Sequence, residues 1–330
     1  MVTIKELAAK SGFSKSTVSR VINNDHNVNE QTRKKVLAVI EEMDYKPNII
    51  ARSMITGSLP IILIIVGDIQ NHYFARTVVG IEKELTEKNY MAVVYNSMYD
   101  VDKEKKFIRM AKECQFCGII PMTAVKSDEL EECLDEVNCP IVLINRDLRK
   151  KPLDAVFGND FEASYIATTE LIKNGHTCIA YISGPSKISS VSVDRENGYR
   201  AALKDHDIRV DESLIYEGKL DMKSGYEIGK KIFKNTKITA VSSNNFLMAL
   251  GVHRCGKALG KPVLTEFDIA CGETVPELYE ESGFIYAGSD LEAIGAKAAQ
   301  FLMKRINKSK EPRQKIIFSA TKIYNPKQIK

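Results

Sequence analysis

The stretch Thr3-Ile-Lys-Glu-Leu-Ala-Ala-Lys-Ser-Gly-Phe-Ser-Lys-Ser-Thr-Val-Ser-Arg-Val-Ile22 has the pattern of two short helices separated at Gly12. Thr3 and Glu6 have the spacing of a capping box, in which the hydroxyl and the carboxylate bind free amides of the first helical turn. Apolar residues then recur at helical spacing in both segments, so each helix has one face that must be buried. The stretch therefore predicts a compact pair of helices near the amino terminus.

The second helix of this pair has small and basic side chains on its polar face. Ser14 can cap the helix, and its apolar stripe begins at Val18. The remaining side chains on this helix are Lys15, Ser16, Thr17, Ser19 and Arg20. Such donors suit phosphates and base edges in a major groove. The face predicts a DNA-reading element, while the bland alternative for the same pattern is ordinary packing in a helix bundle.

A third helix and the distribution of charge support the prediction of a DNA-reading element. The third helix begins at Asn29 and continues through Val36, Ile40 and Met43, which would close a small three-helix core. Lys and Arg outnumber Asp and Glu by nine to six over residues 1–58, and by 38 to 37 over the other 272 residues. The basic excess therefore lies where the DNA-reading element is predicted.

A short helical segment follows these three helices. Pro47 ends the preceding helix, Asn48 can cap a new one, and residues 49–55 provide about two turns before Gly57. A helix of this length is marginal alone in water. The segment therefore needs DNA or a second subunit as a partner, unless it is only a linker.

From Pro60 onward the sequence alternates between strand and helix patterns. Ile61–Val66 is a continuous apolar run, which is typical of a parallel strand covered on both faces, and Tyr73–Lys88 is an amphipathic helix. The further predicted strands are Met91–Tyr95, Cys117–Pro121, Ile141–Ile144, Cys178–Ile182, Thr239–Ser243 and Phe267–Cys271. One sheet of this size would be unusual, so we expect an α/β body of two doubly wound lobes with a ligand cleft between them.

Several other classes of protein are disfavoured by the sequence. No segment has the length of a signal peptide core or a membrane span, which predicts a cytoplasmic protein with no membrane partner. Seven scattered cysteines fit reduced, buried thiols, and the Cys114/Cys117 pair has no second pair nearby, so we expect no metal and no cofactor. The phosphate-loop candidate Gly251–Lys257 is followed by Ala258 rather than Ser or Thr. We expect no catalytic residues, although an enzyme whose carboxylates meet only on folding is an alternative.

Together these segments resemble the bacterial lac-repressor and galactose-repressor family of transcription regulators. In the N-terminal part the resemblance is carried by Thr17-Val-Ser-Arg-Val-Ile-Asn23, Val28, Thr32-Arg-Lys-Lys-Val36, Tyr45-Lys-Pro-Asn48 and Ala51-Arg-Ser53. Further matches are Phe74, Gly80-Ile-Glu82, Gly118-Ile-Ile120, Asn159-Asp-Phe161, Gly175-His176, Gly184-Pro185, Arg195, Gly198-Tyr199, Met248-Ala-Leu-Gly251 and Asp268-Ile-Ala-Cys-Gly272. The resemblance covers nearly the whole chain.

The resemblance implies an all-α helix-turn-helix headpiece, a hinge, and a two-lobed body like that of periplasmic binding proteins, with two parallel Rossmann-like sheets. It implies a repressor that binds a palindromic operator as a homodimer, under control of a small molecule in the cleft. A sugar-binding protein or an enzyme of the same core fold is the rival interpretation. Three parts are expected, a headpiece at 1–46, a hinge helix and linker at 47–59, and an effector and dimerisation domain at 60–330. Within this last domain, the first lobe is expected at about 60–160 plus 290–320, and the second lobe at about 161–289 plus 321–330.

The resemblance also implies residues that contact operator DNA. Lys15, Ser16 and Arg20 are the positions expected to read bases, and Arg20 can pair with a guanine. Met54 takes the place of the leucine that the family inserts between base steps of the minor groove. The full predicted DNA-binding set is Thr3, Ser14, Lys15, Ser16, Thr17, Ser19, Arg20, Asn23, Asn48, Ala51, Arg52 and Met54.

In the cleft, the resemblance implies an effector site that departs from the family's usual set. Tyr73 and Phe74 can stack on a ligand ring or else pack into the core at a helix start. The full predicted effector set is Tyr73, Phe74, Asn145, Arg146, Asp160, Arg195, Asn245 and Thr274. Phe246 replaces one usual aspartate, and Glu273-Thr274 replaces the aspartate expected after Gly272. A sugar, a sugar phosphate and a nucleoside all stay open as effectors. The C-terminal end lacks leucine heptads, so a dimer is expected.

Overall fold

The computed structural model describes residues 2–22, 27–45, 58–123, 127–145, 152–185 and 189–328. Two compact units make up the chain, Met1–Leu59 and Pro60–Lys330. Six residues that we predicted to bind DNA or effector lie outside the described residues, and they are Asn23, Asn48, Ala51, Arg52, Met54 and Arg146.

The first unit contains three helices, α1 (Ile4–Ser11), α2 (Lys15–Ile22) and α3 (Glu30–Glu42). The predicted capping box is confirmed, since the Glu6 amide donates to Thr3 Oγ1 at 3.3 Å and the Thr3 amide donates to Glu6 Oε2 at 2.7 Å. The buried core of the unit is formed by Leu7, Ala8, Val18, Val21 and Val36.

The turn between α1 and α2 depends on Gly12. Its backbone is left-handed, with φ of 72°, a region that residues with a Cβ seldom adopt. The Gly12 amide donates to the Ala8 carbonyl at 3.1 Å, and the Thr17 amide donates to Ser14 Oγ at 3.1 Å. The turn therefore ends one helix and caps the next within three residues.

The second unit alternates strands and helices. Its first part contains β1 (Leu59–Val66), α4 (His72–Thr86), β2 (Met91–Asn96), α5 (Val101–Glu113), β3 (Phe116–Pro121), α6 (Asp128–Asp135), β4 (Val142–Ile144) and β5 (Asp154–Gly158). Its middle part contains α7 (Asp160–Lys173), β6 (Ile179–Ser183), α8 (Ser190–Asp205), β7 (Ile215–Glu217), α9 (Met222–Ile232), β8 (Ala240–Ser243) and α10 (Phe246–Ala258). Its last part contains β9 (Asp268–Cys271), α11 (Tyr279–Ser282), β10 (Ile285–Gly288), α12 (Leu291–Ile306), β11 (Lys315–Phe318) and β12 (Lys322–Tyr324).

These strands form two lobes, as the alternating pattern predicted. In the first lobe the strands are ordered β2-β1-β3 and β4-β5-β11, and a parallel bridge between Ile119 and Ile141 joins the two groups. In the second lobe the order is β12-β10-β9-β8-β6-β7, where only β12 pairs antiparallel with its neighbour. The predicted fold class, a helical headpiece with a two-lobed α/β body, is confirmed.

The chain passes between the lobes three times, after β5, after β10 and after β11. Ser289 Oγ donates to the Phe318 carbonyl at 2.7 Å and accepts from the Asn159 amide at 3.4 Å, and the Asn159 amide also lies 2.9 Å from the Phe318 carbonyl. One hydroxyl from the second crossing thus binds both of the others. The three crossings form one hydrogen-bonded hinge.

Helices α4 and α12 of the first lobe pack at very short range. A Cβ added at Gly80 would overlap the Glu292 carbonyl, and one added at Gly295 would overlap the Thr77 carbonyl. Only glycine permits this approach of two helix backbones. None of the helices in the described ranges is both long and apolar enough to cross a bilayer.

A buried polar cluster attaches the C-terminal segment to the second lobe. Asp268, at the start of β9, accepts from Asn174 Nδ2 at 3.0 Å and lies 2.8 Å from Lys327 Nζ and 3.1 Å from His176 Nε2. Burial alone would raise the pKa of Asp268, but the hydrogen bonds from His176, Lys327 and Asn174 lower it to about 2.

We predict that Asp268→Asn lowers the melting temperature at neutral pH. A carboxyl whose pKa is lowered by folding stabilises the native state above its ordinary pKa, and this contribution is lost as the pH falls toward the folded value. The difference between variant and wild type should therefore shrink between about pH 4 and pH 2. Thermal melts across this range, with the exposed Asp207→Asn as control, test the prediction, and a difference independent of pH would contradict it.

Candidate DNA-reading face and ligand cleft

Helix α2 presents the predicted DNA-reading face to solvent. Lys15, Ser16 and Arg20 are exposed, whereas Thr17 and Ser19 are half-buried. The buried side chains Val18 and Val21 hold the opposite face against α1 and α3. A basic and hydroxyl-bearing surface is therefore fixed to a small rigid core, which is the arrangement needed to insert a helix into a major groove.

Ser14 and Thr3 are exposed to solvent, and their hydroxyls also make hydrogen bonds within the protein. Ser14 Oγ lies 2.7 Å from Ser16 Oγ and 2.9 Å from Thr17 Oγ1, in a cluster of hydroxyls at the first turn of α2. Thr3 is exposed, but its hydroxyl lies within the capping box with Glu6. The hydroxyls of Ser14, Ser16 and Thr17 lie at the amino end of α2, and that of Thr3 lies at the amino end of α1. At such helix ends the dipole and free amides favour an anion such as a phosphate.

The second unit has a cleft between its lobes, with about 500 Å³ of empty space including its open mouth. The first lobe supplies Asn71, Tyr73, Phe74, Tyr99, Met122 and Asn145. The second lobe supplies Ser189, Val191, Ser192, Arg195, Leu220, Asn244, Asn245 and Glu273.

Arg195, on α8, is the cation among the described residues that line the cleft, and it is almost fully buried. Its Nε and Nη2 lie 2.8 and 2.7 Å from Asp160 Oδ1, and its Nη1 donates to the Asn244 carbonyl at 2.5 Å. The second oxygen of Asp160 lies 3.4 Å from Asn145 Nδ2. Burial raises the pKa of Asp160 while Arg195 opposes that rise. The guanidinium is thus neutralised and oriented from behind the cleft wall.

Five of the predicted effector residues line the cleft, namely Tyr73, Phe74, Asn145, Arg195 and Asn245. Asp160 lies behind the wall, where it binds Arg195. Thr274 also lies away from the cleft lining, with its hydroxyl 3.3 Å from the Ser289 carbonyl in the hinge. The structure therefore places Asp160 and Thr274 in supporting positions rather than on the ligand surface.

Glu273 is a cleft residue that the sequence analysis did not assign. Its carboxylate is 3% exposed and accepts from the Phe246 amide at 2.9 Å. The available signal was its place directly after β9 and Gly272, because ligands of α/β sheets bind beyond the carboxyl ends of strands. Asn244 follows β8 in the same way. By contrast, four further lining residues come from loops and helix starts whose direction the sequence pattern does not indicate, and they are Asn71, Tyr99, Ser189 and Ser192.

Aromatic side chains lie near the cleft, and two of them belong to its lining. Phe246, at the position of the family's aspartate, is buried with its ring centroid 6.1 Å from that of Phe284 and 6.4 Å from that of His72. Tyr73 and Phe74 pack edge to face, 5.2 Å apart, and belong both to the core and to the cleft lining. The pair therefore packs into the core, and its role in stacking on a ligand ring stays a prediction.

The cysteines and the phosphate-loop candidate fit structural roles. Burial raises the pKa of Cys117 to about 11, and its thiol donates to the Ile61 carbonyl, whereas Cys114 is exposed. Within the described ranges no group of three His, Cys, Asp or Glu side chains could hold a metal ion. Gly251–Lys257 lies inside α10, where no phosphate-binding loop exists.

A helix-turn-helix unit joined to a two-lobed α/β unit with a polar interlobe cleft defines a ligand-binding DNA regulator. Residues 60–328 match the family model described as periplasmic binding proteins and sugar binding domain of LacI family. Residues 3–48 match the model of bacterial regulatory proteins, lacI family. The chain belongs to the LacI family of bacterial transcription regulators, and it is not an enzyme.

Similar proteins cover much or nearly all of the chain. The transcriptional regulator RegA of Clostridium saccharobutylicum is 36% identical over 68% of this chain and 68% of its own length. Catabolite control protein A of Streptococcus mutans is 30% identical over 96% of this chain and 95% of its own. The crystal structure of the lac repressor dimer bound to operator and the anti-inducer ONPF superposes with a TM-score of 0.80, at 21% identity, over 98% and 99% of the two chains.

We predict that Arg195→Met lowers the free energy of unfolding by about 3 kcal/mol, because it leaves the buried Asp160 carboxylate without a counter-ion. Adding Asp160→Asn should restore part of the loss. Arg200→Met is the matched control on the same helix, since Arg200 pairs with Glu196 and Glu212 nearer the surface and should cost under about 1 kcal/mol. Urea unfolding measures all four proteins, and equal losses for Arg195→Met and Arg200→Met would contradict the assignment.

Proposed function

We propose that this protein is a ligand-controlled repressor that binds a palindromic operator as a homodimer. The observation that carries the proposal is the exposed face of α2, with Lys15, Ser16 and Arg20 on a rigid three-helix unit. Its covalent link to a two-lobed unit with a ligand cleft supplies the control. Membership of the LacI family supports both halves of the proposal.

At the operator, each copy of the chain places its α2 in the major groove. The two half-sites lie about one helical turn apart, because the twofold axis of a dimer matches the symmetry of a palindrome. Arg20 pairs with a guanine through its two donors, and Lys15 and Ser16 bind bases or phosphates nearby. The hinge residues Asn48 and Met54 act in the minor groove between the half-sites, where Met54 is the apolar wedge.

In the cleft, the ligand is a small hydroxyl-rich molecule of the sugar class. Asparagine side chains from both lobes provide paired donors and acceptors for hydroxyls, and Tyr73 and Tyr99 provide faces for a sugar ring. Arg195 is already neutralised by Asp160, so the described lining offers no uncommitted cation for a phosphate. The cleft therefore favours a ligand without phosphate, and its binding changes the affinity for DNA.

A second copy of the chain covers β2 in the proposed dimer. Met91, Val93 and Val94 of this edge strand are 45%, 38% and 38% exposed, although neighbouring strands of the sheet are buried. An exposed apolar edge strand is a site for association that proteins otherwise protect. The lac repressor to which the fold is similar is itself described as a dimer on operator DNA.

We predict that Arg20→Ala abolishes selection of one palindrome from a pool of random duplexes and leaves the melting temperature unchanged. The lost bidentate pair is worth about 1–3 kcal/mol of discrimination against the wrong base. The control is Lys35→Ala, which removes an exposed charge of the same unit from α3. Wild-type binding should weaken steeply with salt, since phosphate contacts release counterions.

Two results would contradict this part of the proposal. Sequence-independent binding by the wild type would contradict the proposal that the protein recognises a specific operator. Selection of the same palindrome by Arg20→Ala would show that other residues read the bases.

We predict that Val94→Lys converts the homodimer to a monomer and weakens operator binding, because a charge buried without a partner disfavours the interface. Analytical ultracentrifugation measures the oligomeric state, and Leu259→Lys, at an exposed leucine of the second lobe, is the control. A Val94→Lys variant that sediments as a dimer would show that β2 is not the interface.

A further inference from the structure

Glu273 places a second buried carboxyl in the cleft. It follows β9 and Gly272, lines the cleft, and is 3% exposed. Its Oε2 accepts from the Phe246 amide at 2.9 Å. This bond accounts for one carboxylate oxygen. Helix α10, which begins at Phe246, is also capped by Asn245, whose side chain accepts from the Met248 amide at 3.0 Å. Helix capping therefore does not require the second oxygen of Glu273.

The charges around Glu273 do not balance. Arg195 is bound at two nitrogens by Asp160 and at the third by the Asn244 carbonyl. His72 lies 3.5 Å from Glu277, which also pairs with Arg76 outside the cleft. The Asp160 and Arg195 charges cancel, and among the described residues of the lining Glu273 is left as an excess acidic group. Burial raises the pKa of Glu273, and the charge of Arg195 only partly opposes that rise.

A second polar atom in the same wall also lacks a partner. Asn244 Nδ2 is enclosed and, in the part of the chain that the structure describes, has no hydrogen-bond partner. Its amide orientation is set by Arg195 Nη1, which lies 3.4 Å from Asn244 Oδ1. A buried donor left unpaired costs about 1–3 kcal/mol, so a ligand acceptor such as a hydroxyl oxygen stabilises the wall.

We propose that the cleft takes a polyhydroxylated amine of the amino sugar class, and that Glu273 is the specificity-determining residue that binds its ammonium group. The proposal rests on the ligand cleft of the proposed function and names the class of its ligand. An ammonium group supplies the counter-charge that the cleft lacks, and the ring hydroxyls pair with asparagine side chains such as Asn244. An anionic ligand would instead place like charges together beside Glu273.

Full-length protein tests the proposal against matched ligands. Glucosamine, galactosamine and mannosamine are each compared with the parent hexose, the N-acetyl derivative and the hexose 6-phosphate, using thermal shift followed by calorimetry. We expect at least one amine to raise the melting temperature. That amine should bind roughly 30-fold or more tightly than its parent hexose and its N-acetyl derivative, because removing one member of a buried charge pair weakens binding by at least this factor.

Glu273→Gln is the decisive variant, because Gln preserves size and can still accept from the Phe246 amide. It should remove the preference for the amine over the parent sugar, with an unchanged melting temperature in the absence of ligand. Glu266→Gln removes the same charge from an exposed loop of the second lobe and should retain the preference. If Glu273→Gln unfolds, Glu273→Asp replaces it, and a weakened but retained preference is then expected.

Several outcomes overturn the inference. They are tightest binding of a hexose 6-phosphate, equal binding of the amine and its N-acetyl form, absence of binding by every amine, or an unchanged preference in Glu273→Gln. Operator selection is measured on the same preparations. A protein that selects its palindrome but ignores amines refutes the amine assignment alone, whereas failure of operator selection refutes the proposed function.

Discussion

The hydrogen bonds of Ser289 constrain every other feature of the two-lobed unit. Three crossings of the chain meet at this hydroxyl, which binds the Phe318 carbonyl and the Asn159 amide. These bonds hold the three crossings together, so a rotation of one lobe against the other about them would change the width of the cleft. Asp160, which follows directly on Asn159, carries this constraint into the cleft wall through its bond to Arg195.

The net charge that the cleft presents to a ligand depends on the burial and pairing of its charged side chains more than on their number. Asp160 and Arg195 are paired at 2.7 Å and almost inaccessible, so neither presents a net charge to a ligand. A buried pair of this kind adds little net stability over apolar residues of the same volume, but it fixes the direction of Arg195. Under the proposed amine assignment, specificity then depends on Asn244 Nδ2 and on the carboxylate oxygen of Glu273 that the Phe246 amide does not bind.

Sequence reasoning succeeded where burial dictates composition. The apolar run Ile61–Val66 predicted β1, because a strand covered on both faces has no polar positions. The strands β5, β7, β10, β11 and β12 were not predicted. Of these, β7 and β11 are only partly buried, so burial does not dictate their composition. In the cleft, the sequence analysis assigned Thr274 and not Glu273. Consecutive residues after a strand point in different directions, and the sequence pattern does not show which of the two faces the ligand. Only the local backbone places Glu273 in the cleft and Thr274 in the hinge.

Helix α4 connects the cleft to the proposed dimer interface. Its first turn carries Tyr73 and Phe74 in the cleft lining, and one turn later Arg76 pairs with Glu277 of the other lobe. The same helix packs against β2, whose exposed edge forms the proposed contact with a second copy. A ligand can shift an equilibrium only through contacts that differ between its two states. A ligand bound against Tyr73, as proposed, would act on a helix that also contacts the opposite lobe and β2. In the proposed dimer this is a route by which the cleft would alter the contact between the two copies.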